Sequence, residues 1–388
     1  MVPAVRRAVA LLLLCGCGSR SGAKDPTIAT PAPSADTRIV QLALGGKHTC
    51  ALRADGHILA WGENSQGQLG DEAGGKRAVP KLVSGVDDVV EVAAGEAFTC
   101  ARHRNGDVSC WGDNYGGQLG DGTKKRRGTP VKIDGLEGAL ELSLGRMHAC
   151  ARVASGVRCW GANQNGQLGD GSKTPRPRPV AVLNLPAVTS IAAGGFHTCA
   201  RGEDKKAWCW GSSNKGQIGD GDTEDQLTPT SPRDLGDIAD IVAGERHTCV
   251  RLLDATVRCF GANGHGQIGD GTSLDRSTPT APVGLDKVVA LFAGDAHNCA
   301  RLADETLTCW GSGDHGEIGD GQRKYRNPPT RVDGLIHVKQ LGLGGMHSCA
   351  LDADAHVFCW GANHSGQLGD GTTVARPRPT AWTMLPSL

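Results

Sequence analysis

The chain has 388 residues, 57 of them Gly and only 2 Tyr, 5 Phe and 4 Met, and its 41 basic and 41 acidic residues cancel. A balanced charge argues against a global field that gathers nucleic acid or membrane lipid. The glycine-rich, aromatic-poor composition suits many tight turns around a core of small and β-branched residues better than it suits a helical enzyme domain. Fifteen Cys point to an oxidising compartment.

Taken in chain order, the N-terminus agrees with export. Arg6 and Arg7 precede an apolar run from Ala8 to Leu14, which is too short to span a bilayer and has the size of a signal-peptide core. Leu14-Cys15-Gly16-Cys17 follows and looks like a bacterial lipobox, so residues 1–17 are expected to be removed or lipidated at Cys17. An ordinary signal peptide cleaved nearby is the rival reading. Residues 18–36 are rich in Ser, Ala, Thr and Pro without apolar period and read as a flexible tether. Gly18 and Ser19, not Asp, follow Cys17; in a Gram-negative host this favours the outer membrane.

Residues 37–388 are repetitive. Gly-Gln-(Leu/Ile)-Gly-Asp or a close variant starts at Gly67, Gly117, Gly166, Gly216, Gly266, Gly316 and Gly366. A His-x-Cys element recurs in phase, from His48-Thr49-Cys50 to His347-Ser348-Cys349, with Phe98 replacing His in the second copy. An aromatic-Gly pair recurs at Trp61, Trp111, Trp160, Trp210, Phe260, Trp310 and Trp360. In the second copy the pattern predicts strands over Val89–Ala94, Thr99–Arg102 and Val108–Trp111, with an Asn105-Gly106 hairpin turn and an edge segment at Pro130-Val131. Three or four short strands per 50 residues make one propeller blade, which cannot bury both faces alone. The expected fold is an all-β, seven-bladed β-propeller.

Gly45 to Leu52, Asp55-Gly56, Trp61-Gly62, Asn64 and Gly67 to Gly70 resemble the repeat of the regulator of chromosome condensation family. The resemblance covers residues 37–388. It implies a propeller whose chain ends commonly share one blade, so the Ile39–Leu44 run is expected to complete the ring beside the last repeat. By itself it implies little about function.

Twelve Cys fall into within-repeat pairs at positions that the family pattern fills with other small or apolar residues. The pairs are Cys100 with Cys110, Cys150 with Cys159, Cys199 with Cys209, Cys249 with Cys259, Cys299 with Cys309 and Cys349 with Cys359. Cys100 and Cys110 are equidistant from Asn105, which places them opposite each other on a hairpin and favours disulfides. Zinc is the rival, with His, Cys and the facing Cys as ligands. Phe98 retains its Cys pair without the His, and the spacing exceeds that of a zinc knuckle. Cys50 faces Ala60 and is left as the odd thiol.

The remaining repeated polar groups read as structural. The His column is expected to supply a recurring hydrogen bond, the Gly-Asp turns are Asx-type turns short of calcium ligands, and the Trp-Gly pairs pack neighbouring blades. No cofactor, metal site or catalytic residue is identified. The loops after the Gly-Asp turns carry Lys76, Arg77, Lys124, Lys125, Arg126, Arg127, Lys173, Arg176, Arg178, Arg276, Arg323, Lys324, Arg326, Arg376 and Arg378, with Glu224 and Asp225 as the exception. They are expected to form a basic rim that binds an anionic polysaccharide, lipid headgroup or protein patch, weighed against ordinary solvated loop charge. The functional expectation is an envelope-anchored, monomeric binding or scaffold module, held to the membrane through its lipid only and with no nucleic-acid partner. Family resemblance also offers guanine-nucleotide exchange on a small GTPase and inhibitor-like docking, as in secreted propellers that block β-lactamases. A propeller enzyme is the remaining class.

Overall fold

The computed structural model describes residues 36–136 and 138–382. The signal (1–17), the lipidation call at Cys17 and all but the last residue of the 18–36 tether lie outside the described residues.

The first repeat forms strands β1 (Ile39–Leu44), β2 (His48–Arg53), β3 (Ile58–Glu63) and β4 (Lys76–Leu82), paired in that order and antiparallel. The other six repeats form the same four-stranded sheet, giving seven blades. The second repeat places its strands at Val89–Ala94, Phe98–His103, Val108–Gly112 and Arg127–Lys132, which is the pattern the sequence predicts. First strands of adjacent blades touch one another, so they line the central axis. Every residue of β2 is buried, because both faces of a blade are covered by its neighbours.

The core is accordingly divided between the blades. Between the first and second blades, Cys50, Ile58, Ala60, Leu69 and Val83 of one meet Val89, Val92, Ala101 and Trp111 of the next. The same composition recurs at the closing seam, where Cys349, Leu351, Val357, Cys359 and Leu368 of the last blade meet Ile39, Leu42, Ala51 and Trp61 of the first. There Trp382, just after the final strand, packs its ring 4.6 Å from that of Trp61. Each sheet is built from four consecutive strands, so among the described residues the first and last strands do not share a blade. The expectation of a shared blade is corrected. The N-terminal run does lie beside the last repeat, but closure is by side-chain packing across a seam like the other six.

All six expected Cys pairs are disulfides. Cys100 joins Cys110, Cys150 joins Cys159, and Cys199 joins Cys209. Cys249 joins Cys259, Cys299 joins Cys309, and Cys349 joins Cys359. In every case the two residues are directly opposed on neighbouring strands, with Cα atoms 4.0–4.1 Å apart. This removes the Cys ligands that the zinc reading requires: Cys110, Cys159, Cys209, Cys259, Cys309 and Cys359 are each committed to a sulfur partner. Cys50 remains a buried free thiol opposite Ala60. Burial pushes this thiol up to about 12, which keeps it in the thiol form and disfavours the reactive thiolate. Ala60→Cys should complete a seventh bridge. Peptide mapping without reductant should find Cys50 linked to residue 60, and closing a loop of this length stabilises by about 2.5 kcal/mol, less any strain.

Candidate functional site

Antiparallel order puts the β1–β2 turn (residues 45–47) and the long β3–β4 loop (residues 64–75) at one end of the blade, with the β2–β3 turn at the other. The equivalent turns and loops of all seven blades form one face, the loop face. Here the central channel opens, ringed by Gly45, Gly95, Gly145, Gly194, Gly244, Gly294 and Gly344.

These glycines are required by close approach. A Cβ on Gly45 would stand 2.2 Å from the His48 ring and 2.4 Å from the carbonyl oxygen of Gly95 in the next blade. Each His is fixed below its glycine by a contact that crosses the seam. His48 Nε2 meets Thr99 Oγ1 at 2.9 Å, and Thr99 Oγ1 donates to the Gln68 carbonyl at 2.9 Å. Trp111 Nε1 donates to the same carbonyl at 3.0 Å. The pattern repeats around the ring, including across the closing seam, where Thr49 Oγ1 and Trp61 Nε1 both donate to the Gln367 carbonyl at 2.8 Å.

Two substitutions explain each other. Phe98, which replaces His, faces a blade that has Ala149 where the hydroxyl would be. Where the donor is lost, so is its acceptor. At His247 the partner is Asn298, whose Nδ2 donates to the Gln267 carbonyl, leaving Oδ1 to accept from His247 at 2.8 Å. His247 therefore carries its proton on Nε2. Nδ1 of all six motif His is buried without a partner, and burial pulls these rings down to about 3–4. They are neutral struts, as the sequence reading expects.

The Gly-Asp turns are also internally committed. Asp170 Oδ1 accepts from Ser172 and from Asn163 Nδ2, and its Oδ2 accepts from Arg176 Nε at 2.8 Å. Burial alone would raise the Asp170 carboxyl, but Ser172, Arg176 and Asn163 together hold it below its ordinary value. The same Asp-to-Arg pair, six residues apart, forms at Asp71/Arg77, Asp121/Arg127, Asp270/Arg276, Asp320/Arg326 and Asp370/Arg376. In the fourth blade Gln226 replaces Arg and bonds Asp220 at 3.0 Å.

The basic rim is therefore much weaker than residue counting implies. Arg127, Arg176, Arg326 and Arg376 are neutralised within their own loops. Arg126 pairs with Glu72 and Lys173 with Asp225, while Arg323 donates to the Ala375 carbonyl. The Arg178 and Arg378 guanidinium groups lie against Gly122 and Gly321 of the preceding blade. Lys124, Lys125 and Lys324 remain exposed on the loop face. The counting missed the Asp partners because each lies six residues upstream in a motif read only as a turn. On the opposite face Asp352, Asp354 and His356 approach closely enough to share a cation. That turn is already closed on itself, since Asp352 accepts from the Asp354 and His356 amides.

What breaks the seven-fold symmetry lies at the channel mouth. The residue after each ring glycine is Gly46, Glu96, Arg146, Gly195, Glu245, Asp295 or Gly345. Arg146 reaches past Gly195 of the intervening blade to pair with Glu245 at 2.6 Å. Beside it, Phe196 lies under two guanidinium groups, 4.7 Å from Arg246 and 5.6 Å from Arg146. The sequence reading passed over this column. Its signal was legible as the one repeat position that alternates between Gly and charge.

Seven four-stranded blades locked by a recurring His, Trp and Gly-Gln-Leu-Gly unit define a repeat propeller whose shared residues serve the ring. The chain belongs to the RCC1-like domain family: that family's model matches residues 13–233. Regulator of chromosome condensation (RCC1) repeat models match residues 238–267, 288–317 and 338–367, and also 254–301, 306–351 and 354–387. Over 74 residues the chain is 36% identical to the mitochondrial RCC1 domain-containing protein RUG3 of Arabidopsis thaliana, spanning 19% of this chain and 16% of that protein. Among solved structures it is similar to yeast RCC1 (Prp20) bound to Kap60, with a TM-score of 0.75 at 20% identity over 95% of this chain and 91% of that one. A second structure, of Prp20p from Saccharomyces cerevisiae, gives 0.73 at 21% identity over 90% and 88%. Human WBSCR16 gives 0.72 at 22% identity over 80% and 86%.

Thr198→Ala strands the His148 Nε2 proton, which bonds Thr198 at 2.9 Å, and should cost about 1–3 kcal/mol. Adding His148→Phe recreates the native Phe98/Ala149 pair and should recover most of that loss in a urea-unfolding double-mutant cycle.

Stability should also respond to pH through the same rings. The six sit below their ordinary 6.5 when folded, so below that pH the unfolded chain takes up protons that the folded one refuses. The urea midpoint should fall as pH drops from about 6.5 toward 4, and His148→Phe/Thr198→Ala should make the decline shallower by about one proton.

Proposed function

We propose that the protein is an exported, lipid-anchored propeller that recognises a partner protein through its loop face. One observation carries this reading. The repeated polar side chains (the seam His, Thr and Trp and the turn Asn, Asp and Arg) are spent on holding the ring, so recognition falls to the unrepeated groups. Those are concentrated on the loop face: the charged channel mouth, Phe196, the exposed Tyr115, and Lys124 and Lys125.

Other features agree. Six disulfides inside single hairpins suit an oxidising space. Residues 14–17 read as a lipobox. Yeast RCC1 has been solved bound to Kap60, and Prp20p is described with binding to Gsp1p and histones; proteins that carry this fold therefore bind protein partners elsewhere.

Cell labelling with a palmitate analogue should mark the chain, and Cys17→Ser should abolish the label and release the protein from the membrane fraction. Cross-linking on intact cells should capture a protease-sensitive partner. Capture should be lost with Tyr115→Ala/Lys124→Glu/Lys125→Glu and kept with Ile336→Asp, a change at an exposed residue beyond the end of a fourth strand, on the opposite face. Equal capture by both variants, or a partner destroyed by glycosidase and not protease, would overturn the protein-recognition reading.

A further inference from the structure

We propose that the channel mouth is a receptor for one basic side chain, lysine or arginine, presented by the partner protein. The inference rests on the loop face being the docking face.

The charge balance comes first. Glu96, Glu245 and Asp295 share the mouth with a single guanidinium, that of Arg146. Arg146 is already tied to Glu245 at 2.6 Å. Glu96 and Asp295 have no side-chain hydrogen bond or ion pair among the described residues, and the two belong to different blades. A pair of uncompensated carboxylates in a confined space is unfavourable unless a cation joins them.

Space is the second observation. The three remaining positions of the column are glycines, and two of them lie against the free acids. A Cβ on Gly46 would stand 2.7 Å from Glu96 Cδ, and one on Gly345 would stand 3.0 Å from Asp295 Oδ2. The glycines leave a cavity of about 130 Å³ along the axis. That admits the tip of a side chain and little more.

The size of the ligand follows from the spacing of the acids. Among the described residues, only Asp352, Asp354 and His356 bring three potential metal-ligand atoms within 4.8 Å of one another. The channel carboxylates are too far apart to close a shell around a bare divalent ion. A cation with several donors spread over its end, an ammonium with three or a guanidinium with five, matches separated acceptors better.

Asp295 gives the third observation. It is half-buried at the channel mouth, with its carboxylate against Gly345 of the neighbouring blade. Burial, then the neighbouring charges of Glu96 and Glu245, push it up to about 7, with Arg146 opposing. The other elements around it contribute no further charge at this level: Gly345, Gly46 and Gly195 fill the remaining blades, and His297 beneath it is neutral. Near neutral pH it is thus held between its two forms, and an arriving cation would complete its ionisation. Binding of a basic side chain is coupled to release of this proton, so affinity rises with pH.

The test uses the full-length chain in detergent, titrated calorimetrically with capped tetra-arginine and with capped tetra-citrulline as the uncharged control. Tetra-arginine should bind and tetra-citrulline should not. Glu96→Gln/Asp295→Asn should weaken binding at least tenfold. Arg146→Gln, which frees Glu245, should strengthen it severalfold, a gain that a misfolded variant cannot produce. Between pH 6 and 8 affinity should rise about tenfold, as expected for one proton with a midpoint near 7, and Asp295→Asn should flatten that rise. Absent binding, equal binding by the double variant, or no gain from Arg146→Gln would overturn the receptor. Partner capture that survives Glu96→Gln/Asp295→Asn but is lost with the Tyr115, Lys124 and Lys125 changes would overturn it and leave the loop-face reading standing. Peptide binding without any loop-face capture would support the receptor and overturn that reading.

Discussion

The ring depends on a backbone carbonyl. In each Gly-Gln-Leu-Gly-like turn the carbonyl of the second residue is aimed at the next blade, and at five of the seven seams it accepts from both an indole N–H and a hydroxyl or amide. Two donors on one buried acceptor fix both the distance and the rotation between blades. The hydroxyl is held in turn by the His of the first blade. Most seams are thus a closed circuit of main chain and side chain, and where members are missing the carbonyl keeps at least one of its donors. Phe260 leaves the Gln217 carbonyl with Thr248 alone, and Ala149 leaves the Gln118 carbonyl with Trp160 alone. Neither departure removes both donors at once.

This division of labour bears on function. A residue engaged in the circuit is buried, neutral and repeated, so it offers nothing to a ligand. The second circuit, in which each loop Asp holds an Arg of the same loop, extends that logic to the surface. Loops that look strongly electropositive in composition have much of that charge paired in place. The positions free of both circuits lie where the first strands converge on the axis and on the tips of a few loops.

Much of this was legible in the sequence. Seven in-phase copies of an aromatic-Gly pair and of Gly-Gln-Leu-Gly or a close variant determine the blades, and the placement of Cys100 and Cys110 about Asn105 determines their register. Phe98 already argued that the His column was structural. What could not be read were relations across a seam or within a loop. The pairing of Phe98 with Ala149 joins residues 51 positions apart through stacking of two blades. The neutralisation of Arg176 by Asp170 needs the loop to fold back on itself. The mouth charges were missed because Glu96, Arg146, Glu245 and Asp295 each look like an ordinary turn residue until the ring gathers them.

The disulfides have a consequence for the order in which the molecule is made. Each joins residues nine or ten apart on a single hairpin, and none crosses a seam. Twelve cysteines paired at random allow on the order of ten thousand arrangements, by the same counting that gives 105 for eight. Here the correct partner is also the nearest along the chain, and it is in place as soon as its own hairpin forms. A chain emerging N-terminus first can seal each blade before the following one appears, so the pairing problem is solved locally, one repeat at a time, with no need for a later reshuffling step.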